Sequence, residues 1–110
     1  MNITIQGLGI ELTEAIKQHA EERMQALEKF VHTKNPEAVT VEVEVGKESE
    51  HHNKGPIFFC EVHMIIPDEG PVRSREVHED LYAAIDVVRK ELQRQLVDLK
   101  EKMIDKRQQG

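Results

Sequence analysis

The most regular run in the chain is VTVEVEV, residues 39–45. Val39, Val41, Val43 and Val45 fall on one side of it, and Thr40, Glu42 and Glu44 on the other. A period of two describes a strand with one buried face. IFFCEVHMII, residues 57–66, repeats the pattern and sets Phe58, Cys60, Val62, Met64 and Ile66 on one face. NITIQ (2–6) and VRSREV (72–77) predict two further short strands, the first ended by Gly7 and Gly9. Two segments change to a helical period instead. Ile16, Ala20, Met24, Leu27 and Val31 predict a helix over 14–31, with Thr13 as its N-cap and Glu14 in its first turn. Leu81, Ile85, Val88, Leu92, Leu96, Leu99 and Met103 predict a second over 80–105, capped by Asp80. HTKNPEA breaks the first helix at Pro36, GKESEHHNKGP reads as a long polar hairpin loop, and PDEGP turns the chain.

The predicted order is β-α-β-β-β-α. Strands with a single apolar face need one covering layer, and two amphipathic helices supply it. The fold class is α+β: a two-layer βαβββα sandwich, with a four-stranded sheet, both helices on one face and the other face open to solvent. At 110 residues the chain makes one domain, over 1–105, with 106–110 expected to fray.

Composition narrows the chemistry. Hydrophobic residues make up 38% and charged residues 33%, and with no Trp, one Tyr and three Phe the core must be largely aliphatic. A single cysteine, Cys60, forms no internal disulfide, which fits a reducing compartment. The start MNITIQGLGIEL lacks a basic segment followed by a long apolar run, so a soluble cytoplasmic protein, without a membrane partner, is expected. Six histidines raise the question of metal, but no HxxxH or CxxC spacing occurs, and His51 and His52 lie in a polar loop. Cys60 falls on the core face, and Glu48 and Glu50 have nothing near them in sequence to shift their titration. No nucleophile elbow, GxGxxG or Walker loop is present. The expectation is a protein without catalytic residues, metal, cofactor or small-molecule substrate.

Charge asks for closer inspection. The chain carries 21 Asp and Glu against 15 Lys and Arg, a net −6, which disfavours unselective nucleic-acid binding. Screening acts over roughly 8 Å at physiological salt, so a local basic surface is still compatible with that total. On a helical wheel Arg89, Lys100 and Arg107 form one edge of the last helix, Glu91, Asp98 and Asp105 the other, and Lys90 and Arg94 point outward between them. Spacing predicts surface pairs Asp86–Lys90 and Asp98–Lys102, each contributing about 0.2–0.5 kcal/mol. The open sheet face presents Glu42, Glu44 and Glu61 around one aromatic, Phe59, a poor platform for stacking bases. Nucleic acid, if bound, meets the helices.

The segments EDLYAAID, RQL and KEK along the last helix resemble the signature of the ribosome hibernation-promoting factor family, also called ribosomal subunit interface or sigma-54 modulation proteins. MNITIQGLGIELTEAIKQHAEERMQALEKF is similar to that family's first strand, small turn and first helix, and VTVEVEVGKE to its second strand and following lysine. The likeness runs from Met1 to Lys102 and is weakest across SEHHNKGP. It implies a short form of a protein that binds the small ribosomal subunit where messenger RNA and transfer RNA would lie, and that preserves idle ribosomes under stress. Its implied contacts to ribosomal RNA are Lys17, Arg23, Lys47, Arg94, Lys100 and Lys102, with Arg89 and Lys90 added from the wheel. Ala26, Glu91 and Asp98 stand where relatives often carry Lys, and Glu44 where a strand residue is often basic; these departures bear on affinity. Tyr82 and Asp86 belong to the signature as a packing residue and a helix-surface partner. A different class of function is a module that regulates a transcription factor through the acidic face of Glu42, Glu44 and Glu61. Self-association is open, because the acidic and basic edges of the last helix could pair between copies.

Overall fold

The structure is a computed structural model that describes residues 1–48 and 55–109, with side chains as far as Ile104. Its elements follow the predicted order: β1 (Asn2–Leu8), α1 (Glu14–Gln25), β2 (Thr40–Lys47), β3 (Phe58–Ile66), β4 (Gly70–His78) and α2 (Leu81–Gln109), with 3₁₀ turns at Glu28–Phe30 and Pro36–Ala38. The sheet order is β1-β2-β3-β4. β1 pairs parallel to β2, as a strand–helix–strand crossover allows, and the other two pairings are antiparallel.

Register places the valines of β2 opposite Ile3 and Ile5 of β1 and opposite Met64, Val62 and Cys60 of β3. These residues and Val72 of β4 meet Ala20, Met24 and Leu27 from the first helical segment and Leu81, Ala84, Ile85, Val88, Leu92 and Leu96 from α2. That is the aliphatic core, and no charged residue among those described belongs to it. Full burial of each large aliphatic side chain contributes about 1.5–3 kcal/mol, which makes the α2 stripe the main fastener of the helical layer.

Both predicted caps form. Thr13 is extended (φ −74°, ψ 160°) and its Oγ1 accepts from the Ile16 amide at 3.2 Å. Asp80 Oδ1 accepts from the Tyr82 amide at 3.0 Å. α1 is shorter than the predicted 14–31. It ends at Gln25, and the chain tightens into the 3₁₀ turn, which buries Leu27 and brings Phe30 and Val31 against the core. β1 runs two residues past its predicted end, because Gly7 and Leu8 pair with Val45 and Gly46; the chain turns at Gly9, where φ is +71°. α2 continues to Gln109, beyond the expected end at 105. No Gly or Pro interrupts residues 81–109, so nothing in the sequence stops the helix earlier. His51 and His52 of the predicted hairpin loop lie outside the described residues.

The open sheet face differs from expectation in one place. Phe59, placed there as a solvated aromatic, is 4% exposed. Arg75 of β4 lies over its ring, 4.7 Å from the centroid, and is itself held by Glu48 at 2.8 Å. The ring rests on Gly46, where a Cβ would stand 2.2 Å from the Leu8 carbonyl oxygen and 2.8 Å from the ring. Phe58, assigned to the core face, is half-buried at its edge.

Candidate nucleic-acid interface

α1 and α2 lie side by side on the sheet, and a seam of polar side chains closes the groove between them. His19 and Arg23, one turn apart on α1, both reach Asp86 on α2. His19 Nε2 and Arg23 Nε each stand 2.9 Å from Asp86 Oδ1. Tyr82, one turn before Asp86, sets its ring edge-on to His19 at 4.9 Å between centroids. Partial burial alone would raise the Asp86 carboxyl pKa, but the hydrogen bonds and charges of His19 and Arg23 outweigh it and hold it below the usual carboxylate range. The predicted i, i+4 pair of Asp86 with Lys90 is therefore replaced by a clasp between helices. Tyr82, expected as a packing residue, is 38% exposed and meets His19 by its ring edge, and His19 is the member that the pattern of α2 could not announce. The only sign of it in sequence is the spacing of four between His19 and Arg23, beside the buried stripe of Ala20 and Met24.

Next to this clasp is a cleft of about 340 Å³ lined by Glu22, Arg23, Ala26, Asp86, Arg89 and Lys90. The structure thus brings three of the expected cations together: Arg23, Arg89 and Lys90. Ala26, where a longer side chain would fill the space, leaves the cleft open toward solvent. The Arg89 Nε–H is buried and has no hydrogen-bond partner among the described residues.

Arg94 has a different setting. Its guanidinium forms a bidentate pair with Glu91, at 2.6 and 3.1 Å, and a further bond to Asp98 at 2.7 Å. The hydrogen bond from Arg94, helped by one from Gln95, lowers the Glu91 pKa, and Glu91 in turn raises that of Arg94. Asp98 thus pairs back to Arg94 and not forward to Lys102, as the spacing had suggested. The outward cation of the wheel is bound to the acidic edge of its own helix.

The remaining expected contacts are spread apart. Lys17 is exposed on α1, Lys100 and Lys102 are exposed near the end of α2, and Lys47 is exposed at the end of β2 beside Gly9. On the opposite side of the sheet, Thr4, Gln6, Glu42, Glu44, Glu61 and His63 line an acidic groove. Among the described residues no group of three or more His, Cys, Asp or Glu is placed to hold a metal ion, and no helix is long and apolar enough to cross a membrane. Burial, with a smaller contribution from the charge of Glu61, pushes the Cys60 thiol up to about 12.

A two-layer βαβββα domain whose polar helical seam gathers arginine and lysine, over a sheet with an acidic groove on its outer face, defines the class of protein. Comparison with known proteins gives the family. The chain belongs to the sigma 54 modulation protein / S30EA ribosomal protein family, whose model matches residues 3–104. It is 33% identical over 110 residues to the ribosome hibernation promoting factor of Azotobacter vinelandii, covering all of this chain and 92% of that one. It is 31% identical over 106 residues to the ribosome hibernation promotion factor of Deinococcus radiodurans, covering 96% of this chain and 52% of that one. The chain therefore spans about half the length of the Deinococcus relative. Among solved structures, the Thermus thermophilus Protein Y N-terminal domain superposes with a TM-score of 0.72 at 26% identity, covering 89% of this chain and 98% of that one. A ribosomal subunit interface protein from Coxiella burnetii shares the fold, with a TM-score of 0.70 at 16% identity over 92% of this chain and 99% of that one.

Proposed function

We propose that this protein is a cytoplasmic, ribosome-associated translation inhibitor, which lays its helical layer against ribosomal RNA in the messenger and transfer RNA channel of the small subunit. By occupying that channel it keeps ribosomes inactive and intact under stress. The observation that carries this reading is the family match across 3–104, on a domain that gathers Arg23, Arg89 and Lys90 between its helices and sets Glu42, Glu44 and Glu61 along a groove on the sheet. The mechanism is occlusion. Lysine and arginine replace the counterions of RNA phosphates, so affinity falls steeply with salt, by a slope of about 0.7–0.9 in log–log terms for each phosphate neutralised. Shape and register of the contacts position the domain.

The test is a sucrose-gradient profile of lysates from growing and starved cells, with purified protein added to isolated small subunits as a second arm. Co-migration with small subunits that strengthens on starvation, and release as salt rises, are expected. The charge reversal Lys90→Glu, at the exposed rim of the cleft, should weaken the association; an undiminished binding constant for that variant would count against the electrostatic mechanism.

The acidic groove of Glu42, Glu44 and Glu61 supports a second reading, a regulator that binds a basic protein surface such as that of a transcription factor. In that case Glu42→Gln with Glu61→Gln abolishes partner binding, and the protein migrates apart from ribosomal particles.

A further inference from the structure

We infer that the cleft between α1 and α2 is a phosphate seat, built by Arg23, Arg89 and Lys90, and that the exposed Arg94 is withheld from phosphate by its own helix. This deepens the ribosome reading and rests on it only for where the phosphate comes from, a phosphodiester of the RNA backbone. The two sites differ in charge although both hold arginine. The cleft holds three cations against Glu22 and Asp86, a net +1. The Arg94 group holds one cation against Glu91 and Asp98, a net −1, with three of the five guanidinium N–H donors already engaged. A phosphate that approached Arg94 would find two N–H donors left and would meet the charge of two carboxylates held at 2.6 and 2.7 Å.

Arg89 is in the opposite condition. Its Nε–H is buried and unpartnered among the described residues, an unfavourable state for a charged donor. A modest rotation of the side chain toward the cleft gives that N–H a phosphate oxygen to bond and relieves the cost. Asp86 takes only the Nε of Arg23, and so positions that guanidinium with its terminal nitrogens available to the same anion. Lys90, exposed at the rim, adds a point charge, and no ion pair engages it among the described residues. A planar fork and a nearby ammonium are a matched set for an anion with several acceptor oxygens.

The first test needs no ribosome. Inorganic phosphate is titrated into the protein while the arginine Nε–Hε resonances are followed by NMR. The Arg89 resonance is expected to move saturably and Arg94 to move less. A still Arg89 signal, or an Arg94 signal that moves as far, overturns the assignment. The second test is co-sedimentation with small subunits, using variants whose fold is first verified by their amide spectra. Arg89→Met is expected to lower affinity about tenfold, and by more than Arg94→Gln does. The reverse order overturns the inference. Glu91→Gln with Asp98→Gln frees Arg94, and is expected to tighten binding several-fold and make the Arg94 resonance respond to phosphate. If wild-type protein ignores ribosomal particles while Arg89 answers to phosphate, the seat stands and the ribosome reading falls.

Discussion

Asp86 shows how much a single side chain can change the meaning of a pattern. Its spacing suggested a surface pair with Lys90, whereas the folded chain makes it the acceptor that joins α1 to α2. Its carboxyl pKa is depressed in the folded state, so its contribution is present above the ordinary carboxylate range and is lost as pH falls through the folded value. Asp86→Asn should therefore lower stability by about 0.5–1 kcal/mol near neutrality, a modest figure because both partners are partly solvated. Thermal melts of variant and wild type should differ at pH 7, and the gap should narrow as pH falls below the ordinary carboxylate value of about 4. An unchanged gap across that range would show that the carboxylate charge is not the agent. Cys60 is the opposite kind of residue. Buried and with its thiol pushed up to about 12, it should resist a water-soluble disulfide reagent at pH 8 until denaturant unfolds the protein.

At the scale of elements, the hydrophobic period made every strand and both helices visible, along with the two caps, because each rests on interactions within a few residues. Ends were less legible where tertiary contacts decide them. β1 outruns Gly7 because β2 offers it a partner, and α1 yields early to a 3₁₀ turn because Leu27 and Phe30 have a core to reach. The alternation of β3 showed which face Phe59 occupies, but not that Arg75 would cover it, since that contact joins strands 16 residues apart in a register only the fold supplies. The tightest of these contacts is at Gly46. Gly46→Ala pushes a methyl into both the Leu8 carbonyl and the Phe59 ring, and should cost about 1–3 kcal/mol, read as a lowered urea midpoint with little change in slope. A milder effect is expected for Gln95→Ala. Gln95 fastens α2 to the edge strand through the amide and carbonyl of Arg73, at 3.3 and 2.8 Å, and its loss should cost about 1 kcal/mol.

For the whole molecule, the sequence offers a set of cations but not which of them the fold brings together. Sequence spacing sorted Arg89 and Arg94 by their angle on a wheel, but could not tell that one would face α1 and the other would fold back on Glu91 and Asp98. Glu91 and Asp98, by pairing with Arg94, leave Arg23, Arg89 and Lys90 as the cations gathered at the groove between the helices. A chain of net −6 can then approach RNA with only a small part of its surface, and the salt dependence of association should reflect a few phosphates, with a log–log slope of about −2 to −3. A slope several units steeper would require a basic surface wider than this one, and would argue that Lys17, Lys47, Lys100 and Lys102 all engage at once.

Tyr82 supplies a means of watching that groove. It is the single tyrosine of a chain that has no tryptophan, and it touches His19, which also bonds Asp86. Ultraviolet-excited emission from this protein therefore originates from the junction of the two helices. A quencher that arrives there, or a shift of the neighbouring imidazole, registers optically without any attached dye, so the molecule is already labelled beside its proposed anion seat.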